Sequence, residues 1–230
     1  MSRLTGIEHL FFDLDHTLWD FDKNSAQAFK AIFERNRVTV PVEEFLEVYI
    51  PINFKYWKYY RENRITKEQL RYSRLAKTFA ALQVKIDDQL IDRLSDDYII
   101  YLAKYNELFD GTFEVLKELS KKYQMYIITN GFEEVQHLKL KNSKIDHFFK
   151  SVTTSQSVGV KKPDPRIFEY AMKTAGATPA NSLMIGDTYE ADILGAEGVG
   201  MRAVCFNYHK QDFEKAGLII DELRQLLQLL

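Results

Sequence analysis

The stretch FFDLDHTLWDF, residues 11–21, ends an apolar run with two aspartates that are separated by a single leucine. The run is typical of a buried β-strand, and in a continuing strand Asp13 and Asp15 would share one face. Two carboxylates in one small space repel each other unless one is protonated or a cation is present. Since a fold that needed only a core would avoid this arrangement, the stretch predicts a functional site at the end of the first strand.

Four further apolar runs resemble buried parallel strands, and amphipathic segments separate the later ones. The predicted strands cover residues 9–15, 124–130, 149–155, 182–187 and 201–206. Strands that are apolar on both faces and alternate with helices are typical of a doubly wound α/β sheet. We therefore predict a Rossmann-like parallel sheet, whose ligands bind beyond the carboxyl ends of its strands.

Residues 19–105 differ in character, because they lack glycine and carry apolar residues at three- and four-residue spacing. This pattern predicts an inserted all-helical domain, and Pro51 is expected to break or kink one of its helices. The predicted domains are a catalytic core of residues 1–18 and 106–230 and a helical cap of residues 19–105. An insertion at this point would lie over the carboxyl edge of the sheet, as a lid does.

Composition limits the classes of function. The chain has 230 residues, of which 46% are hydrophobic and 28% charged, and its formal charge is −2. This near balance argues against a nucleic-acid polymer as partner. The single cysteine, Cys205, lies in an apolar run and is expected to be a core residue rather than a nucleophile. No apolar stretch reaches the length of a membrane span, so we expect no membrane partner and a cytoplasmic location.

Polar residues also follow the second predicted strand, which ends Thr129-Asn130-Gly131 before a helical segment. A hydroxyl, an amide and a glycine at a helix N-terminus are suited to bind phosphate, partly through backbone N–H groups. An ordinary helix cap with a glycine turn would explain the same residues, and Asp15 could likewise be only a cap.

The loops after the third and fourth strands add an ammonium group and two more carboxylates. Lys162 precedes a proline, and Asp187 ends the fourth strand five positions before Asp192. Asp164-Pro165 is typical of an N-cap followed by proline at the first helical position. A surface lysine and a helix cap would explain each feature separately. Their combination at one sheet edge predicts a site for phosphate and a metal ion.

These four segments resemble the ordered motifs of the haloacid dehalogenase superfamily. The motifs are FFDLDHT (11–17), IITNG (127–131), Lys162 before proline, and GDTYEAD (186–192). The helical insertion between the first two resembles the helical cap class of that family. One departure is His16, because many members have glycine between the second aspartate and the threonine.

The resemblance implies hydrolysis of phosphomonoesters through an aspartyl-phosphate. Asp13 would be the nucleophile, and Asp15 would donate a proton to the leaving alcohol and later activate water. Mg²⁺ is the implied cofactor, held by the Asp13 carboxylate, the Asp15 backbone carbonyl and Asp187. Thr129 and Lys162 would bind the phosphoryl oxygens together with Asn130 and Gly131, and Asp192 would orient Lys162 or metal-bound water.

Within the predicted cap, residues 53–74 hold seven basic and two acidic residues with six aromatic residues between them. Packing inside the cap explains most of these, although one ring could stack on a base or sugar. This stretch, ITNGF and GDTYEADILGA look closest to the bacterial non-canonical pyrimidine 5′-nucleotidases. That resemblance implies a nucleoside monophosphate as substrate, with Asn53 and Trp57 as candidate cap contacts.

Several alternatives stay open at this stage. A sugar-phosphate or phosphoglycolate phosphatase and a phosphomutase would use the same core residues. A dehalogenase would need neither Mg²⁺ nor an acid at position 15, so Asp15 argues against it. A receiver-like phospho-acceptor domain would be about half as long as this chain, which argues against that alternative. The formal charge of −2 argues against a nucleic-acid-binding protein. The pattern of residues leaves open whether the protein is a monomer or a dimer.

Overall fold

The computed structural model describes residues 3–210 and 217–230, and the chain forms two compact units. The first unit comprises Met1–Phe21 and Asn106–Leu230, and the second comprises Asp22–Tyr105. The sequence placed the first boundary after residue 18, whereas residues 19–21 lie in the first unit. The backbone explains this difference, because Trp19 forms a β-bridge with Leu108 and Asp20 N–H donates to the Glu107 carbonyl at 3.0 Å.

A six-stranded sheet forms the centre of the first unit, and its strands follow the order β3-β2-β1-β4-β5-β6. The strands are β1 (His9–Phe12), β2 (Gln124–Thr129), β3 (Phe149–Thr154), β4 (Ser182–Gly186), β5 (Arg202–Phe206) and β6 (Leu218–Ile220). Every neighbouring pair is parallel. The predicted Rossmann-like sheet is therefore confirmed, although the short edge strand β6 was not predicted.

The helices follow the alternation expected for this fold. They are α1 (Phe21–Asn36), α2 (Val42–Arg61), α3 (Lys67–Ala81), α4 (Asp88–Leu102), α5 (Thr112–Leu119), α6 (Glu133–Asn142), α7 (Ser155–Val158), α8 (Pro165–Ala175), α9 (Leu194–Gly198) and α10 (Leu226–Leu229). A π-helical turn, Tyr189–Ile193, precedes α9. Asp164 caps α8 by accepting a hydrogen bond from Arg166 N–H, and Pro165 takes the first helical position, as predicted.

The core of the first unit lies against the sheet. Strand residues Phe11, Ile128, Met184 and Cys205 are fully buried and pack in one apolar cluster with α8. The prediction that Cys205 is a core residue is thus confirmed. No helix within the described ranges combines the length and the apolarity needed to cross a membrane.

The second unit consists of helical segments around an aromatic core. Phe29, Phe45, Tyr49 and Tyr98 are almost completely buried, and the Phe29 and Tyr98 rings stack with centroids 4.5 Å apart. Pro51 does not break its helix, because α2 continues through it from Val42 to Arg61, and a kink at this position stays a prediction. The buried residues of α2 lie on both sides of Pro51, so burial of one apolar face outweighs the hydrogen bond that proline cannot donate.

Two glycines of α9 provide a test of the packing around the sheet. A Cβ at Gly195 would lie 2.8 Å from the Phe168 ring and 3.1 Å from Pro163 Cα, whereas a Cβ at Gly198 would have no atom within 4 Å. We expect Gly195→Ala to destabilise the protein by about 1–3 kcal/mol through overpacking. The matched control Gly198→Ala should instead be neutral or stabilise by up to about 1 kcal/mol. Thermal unfolding of both variants checks this, and equal effects would contradict the packing described.

Candidate active site

The turn after β1 separates the two aspartates of the opening stretch. The strand ends at Phe12, one residue before Asp13, although Asp13 N–H still donates to the Ile185 carbonyl at 2.9 Å. The Leu14 carbonyl then accepts from Leu18 N–H at 3.0 Å and from Trp19 N–H at 2.9 Å, which closes a tight turn. The strand therefore does not continue to residue 15, so the two aspartates do not share the face of a strand.

His16 holds the left-handed conformation that this turn requires, with φ of +63°. Glycine adopts such a φ without steric cost, whereas a residue with a Cβ does so uncommonly. His16 therefore differs from the glycine of the family pattern only in its side chain, because its backbone has the conformation that favours glycine.

Lys162 is the centre of the site. Its ammonium group lies 2.6 Å from Asp13 Oδ1, 2.6 Å from Asp192 Oδ1 and 2.7 Å from the Ile128 carbonyl. It donates hydrogen bonds to Asp13 and to the Ile128 carbonyl, whereas its contact with Asp192 is an ion pair without hydrogen-bond geometry. The lysine side chain is only 2% exposed. Burial favours the neutral amine, but the carboxylates of Asp13 and Asp192 raise the pKa of Lys162 above its ordinary value, so the group stays an ammonium.

Asn130 positions the backbone of Lys162. The Asn130 amide donates to the Lys162 carbonyl at 3.0 Å and accepts from Lys162 N–H at 2.8 Å. Its side chain thus ties the end of β2 to the loop that carries the lysine. The predicted role of Asn130 in phosphate binding stays a prediction, and this pair of hydrogen bonds is a structural role that the sequence did not indicate.

The hydroxyl of Thr129 is oriented by two donors. Its oxygen accepts from Gly131 N–H at 3.0 Å and from the Gln136 side-chain amide at 2.6 Å. A hydroxyl oxygen has two lone pairs and one proton, so both acceptor positions are filled. Among the described residues Thr129 has no acceptor for its own proton, which leaves that proton available for a bound ligand. Gly131 N–H is used within the protein, and α6 begins two residues later than Gly131, at Glu133.

Three carboxylates surround the lysine. Asp13, Asp187 and Asp192 each offer an oxygen, and these oxygens all lie within 4.8 Å of one another. Asp187 accepts from the Thr17 hydroxyl at 3.4 Å and from the Thr188 hydroxyl at 3.3 Å. The sequence predicted Asp13 and Asp187 as metal ligands with the backbone of Asp15, whereas the carboxylate group found together with them is that of Asp192.

Burial and mutual repulsion change the ionisation of this cluster. Burial raises the pKa of Asp13 to about 7, although Lys162 acts in the opposite direction. Burial also raises the pKa of Asp187 well above its ordinary value, and the charges of Asp192 and Asp13 add to that effect. One ammonium group cannot balance three carboxylates, and the excess of two negative charges equals the charge of one divalent cation.

The donor set fits a hard metal ion. Carboxylate oxygens are the ligands that Mg²⁺, Mn²⁺ and Ca²⁺ prefer, whereas the cysteine and histidine ligands typical of structural zinc are not part of this group. A divalent cation would allow all three carboxylates to ionise, because it supplies the charge that Lys162 alone does not. The cluster of Asp13, Asp187 and Asp192 could therefore hold a metal ion.

Asp15 lies in a separate set of contacts. Its Oδ1 is 2.5 Å from the Lys139 ammonium, and its Oδ2 accepts from the Gln136 amide at 2.9 Å. Each lysine thus binds its own aspartate, Lys162 with Asp13 and Lys139 with Asp15. This division gives each carboxylate of the opening stretch its own counter-charge, although the charge of Asp15 still contributes to the raised pKa of Asp13.

Gln136 and Lys139 were missed by the sequence analysis. Both lie on α6 and are at most 2% exposed, on the helical face that also buries Val135 and Leu140. The sequence does contain a sign of these two residues, because they occupy helix positions where the 3.6-residue period predicts apolar side chains. The segment also fits an ordinary amphipathic helix between two strands, so this signal alone does not indicate a site.

Asn53 and Trp57 lie in the second unit on α2. Asn53 is 5% exposed, and its side-chain oxygen accepts from Arg74 at 3.0 Å and from the Tyr49 hydroxyl at 3.3 Å. Trp57 is half-buried and makes an edge contact with Tyr60, with ring centroids 5.7 Å apart. Asn53 thus has a packing role inside the helical unit, and substrate contact by either residue stays a prediction.

Comparison with known proteins identifies the family of this arrangement. YjjG of Escherichia coli K12, a pyrimidine 5′-nucleotidase, is 32% identical over 96% of both chains. A glyceraldehyde 3-phosphate phosphatase of Pyrococcus furiosus is 34% identical over 97% of this chain and 93% of its own. The magnesium-bound structure of the HAD-hydrolase YfnB from Bacillus subtilis matches with a TM-score of 0.87 at 26% identity, covering 96% of this chain and 97% of that one.

The match to the family itself extends over both the motifs and the segment between them. The model of the haloacid dehalogenase-like hydrolases matches residues 7–200, which include Asp13, Thr129, Lys162 and Asp187. The family resemblance inferred from four short motifs is therefore confirmed, as is the likeness to pyrimidine 5′-nucleotidases. The chain belongs to the haloacid dehalogenase-like hydrolases.

Proposed function

We propose that the protein is a Mg²⁺-dependent phosphomonoester hydrolase that acts on nucleoside 5′-monophosphates through an aspartyl-phosphate. The observation that carries this proposal is the buried cluster in which one ammonium group, Lys162, faces three carboxylates. An excess of buried negative charge is costly unless a cation completes it. The Asp13 carboxylate and the Lys162 ammonium lie 2.6 Å apart, so a phosphate group at this site could interact with both.

In the first step, an Asp13 carboxylate oxygen attacks phosphorus as the bond to the substrate's alcohol oxygen breaks. The electron pair of the broken bond goes to the leaving oxygen, which takes a proton from Asp15. In the second step, water attacks the phosphorus of the aspartyl-phosphate and gives a proton to Asp15. This restores the Asp13 carboxylate and releases inorganic phosphate.

Thr129 and Lys162 are suited to stabilise the phosphoryl group during both steps. Charge accumulates on the three equatorial oxygens of the transferring group. The Thr129 hydroxyl has its proton available, since its oxygen already accepts two hydrogen bonds. Lys162 can exchange its contact with Asp13 for a phosphoryl oxygen while Asp192 and the Ile128 carbonyl hold it in place. Asp192 then acts as the residue that orients the lysine.

Asp13, Asp187 and the Asp15 backbone carbonyl are the residues we expect to hold Mg²⁺, with Asp192 beside them. The ion, when bound, neutralises the phosphate oxygens and lowers their repulsion of the incoming carboxylate. The match to YfnB, whose structure contains magnesium, supports this choice of metal. The nucleophile, the proton donor and the groups that bind the phosphoryl oxygens are all side chains of the protein.

The choice of substrate rests on the relatives. Similarity to YjjG over 96% of both chains supports a pyrimidine nucleoside monophosphate as the substrate. The glyceraldehyde 3-phosphate phosphatase at 34% identity supports a small sugar phosphate as a second candidate. The same core chemistry could serve both candidates, because the proposed roles of the core residues involve only the phosphate and the leaving oxygen.

A panel of phosphorylated metabolites with Mg²⁺ separates these two candidates. We expect uridine and thymidine 5′-monophosphates to be hydrolysed with kcat/KM at least about tenfold above that for glyceraldehyde 3-phosphate, a difference of about 1.4 kcal/mol in barrier. Release of inorganic phosphate measures the rates, and omission of Mg²⁺ is the control. Faster hydrolysis of the sugar phosphate would reject the nucleotidase assignment, and the absence of hydrolysis across the panel would reject phosphatase activity.

Substitutions at two aspartates test the division of roles. Asp13→Asn removes the nucleophile and should abolish turnover. Asp192→Asn weakens the orientation of Lys162 and should lower kcat by about 10²–10³-fold, which corresponds to about 2.7–4 kcal/mol for one preorganised contact. Asp146→Asn, at an exposed position, is the matched control and should leave kcat unchanged. Equal losses at positions 13 and 192 would contradict this division.

A further inference from the structure

We propose that Gln136 and Lys139 are positioning residues that hold the Asp15 carboxyl group for proton transfer to the leaving oxygen. This inference rests on the proposed function, because it concerns the acid–base residue of that reaction. It assigns a role to two buried polar side chains of α6.

The contacts of Asp15 are the first observation. Lys139 Nζ lies 2.5 Å from Oδ1, and the Gln136 amide donates to Oδ2 at 2.9 Å. Both carboxylate oxygens are therefore bound by donors from one helix, three residues apart, which fixes the rotation of the carboxyl plane. A freely rotating carboxyl group would present its proton in the correct direction only part of the time.

The surroundings of Lys139 are the second observation. Its ammonium group lies 4.2 Å from the centroid of the Trp19 ring and 5.4 Å from that of Phe21, and its side chain is 2% exposed. These rings restrict the lysine by cation–π contact in addition to its ion pair with Asp15. Asp15 Oδ1 is thereby held by a fixed charge. Oδ2, which is bound by a neutral amide, is the oxygen that can carry the transferred proton.

Gln136 also connects Asp15 to the phosphate-binding hydroxyl. Its amide nitrogen donates to Asp15 Oδ2 at 2.9 Å and to Thr129 Oγ1 at 2.6 Å, so one nitrogen contacts both groups. The opposite amide orientation would place oxygen against a carboxylate, so Asp15 fixes the assignment. Gln136 thus sets the distance between the hydroxyl that binds phosphate and the carboxyl that protonates the leaving group.

Gly131 supports the same interpretation independently. A Cβ at this position would lie 2.1 Å from Gln136 Nε2, so any larger residue would displace the amide from its present place. In addition, Gln136 Oε1 is buried without a hydrogen-bond partner among the described residues. An apolar side chain would avoid that unsatisfied oxygen, so stability alone does not explain glutamine here.

The test compares two aryl phosphates with different leaving groups. Departure of 4-nitrophenolate needs little protonation, whereas phenolate is more basic and depends on the general acid. We expect Lys139→Met and Gln136→Met to lower kcat/KM for phenyl phosphate at least about tenfold more than for 4-nitrophenyl phosphate. Lys141→Met, on the same helix and exposed, should change neither rate. The quantity kcat/KM is used because it reports the step in which the leaving group departs.

Thermal unfolding accompanies the kinetics. Gln136→Met should shift Tm by less than about 4 °C, because it removes an amide with an unsatisfied oxygen. Equal losses for both aryl phosphates, or no loss in either variant that folds, would overturn the positioning role. Absence of hydrolysis by the unmodified protein would instead reject the proposed function, so the two failures are distinguishable. If Lys139→Met does not fold, Gln136→Met alone decides the result.

Discussion

The ion pairs of Lys162 with Asp13 and Asp192 are the constraint on which the site depends. They draw the loop after β3 toward the ends of β1 and β4, and each distance is 2.6 Å. A buried ammonium group is stable only with such partners. Asp187 adds a third carboxylate to this cluster. Among the described residues, Lys162 is the only lysine that forms an ion pair with any of the three carboxylates. A divalent cation would balance the two negative charges that Lys162 leaves uncompensated when all three carboxylates are ionised.

A second lysine explains how two aspartates fit beside one strand. Lys139 binds Asp15, and Lys162 binds Asp13, so each carboxylate has its own counter-charge. The two ion pairs differ in surroundings, because Lys139 lies against aromatic rings and Lys162 lies against backbone and carboxylate oxygens. In the proposed mechanism these different surroundings belong to different roles, because Asp13 attacks phosphorus and Asp15 donates and accepts a proton.

Most of the sheet could be predicted from the sequence, because strands buried on both faces leave a strong apolar signal. β6 escaped prediction because Leu218–Ile220 is too short to form a pattern. The continuity of α2 through Pro51 could not be predicted, because the period of the sequence does not reveal how strongly tertiary burial supports a helix. The four strand ends were found because parallel strands end at one edge of the sheet.

The side-chain partners at that edge could not be predicted as readily. Gln136 and Lys139 reach Asp15 from a helix more than 120 residues away in sequence, and only the fold brings them together. Asn130 likewise binds the backbone of Lys162 across a separation of 32 residues. Such contacts leave a weak trace in the sequence, namely a polar residue on the buried face of a helix.

The stability of the protein as a function of pH, with and without Mg²⁺, tests the charge balance most directly. Asp13 and Asp187 have raised pKa values, so between about pH 4 and 7 the metal-free folded state holds protons that the unfolded state has lost, and stability falls as pH rises. In the proposed function Mg²⁺ binds the deprotonated carboxylates, so adding it should restore that stability. At pH 8 and a hundredfold excess over Kd, we expect Tm to rise by about 5–10 °C. The rise should be much smaller at pH 5.5, and it should be lost in Asp187→Asn. No effect of Mg²⁺ at pH 8, or the same effect at both pH values, would contradict the account.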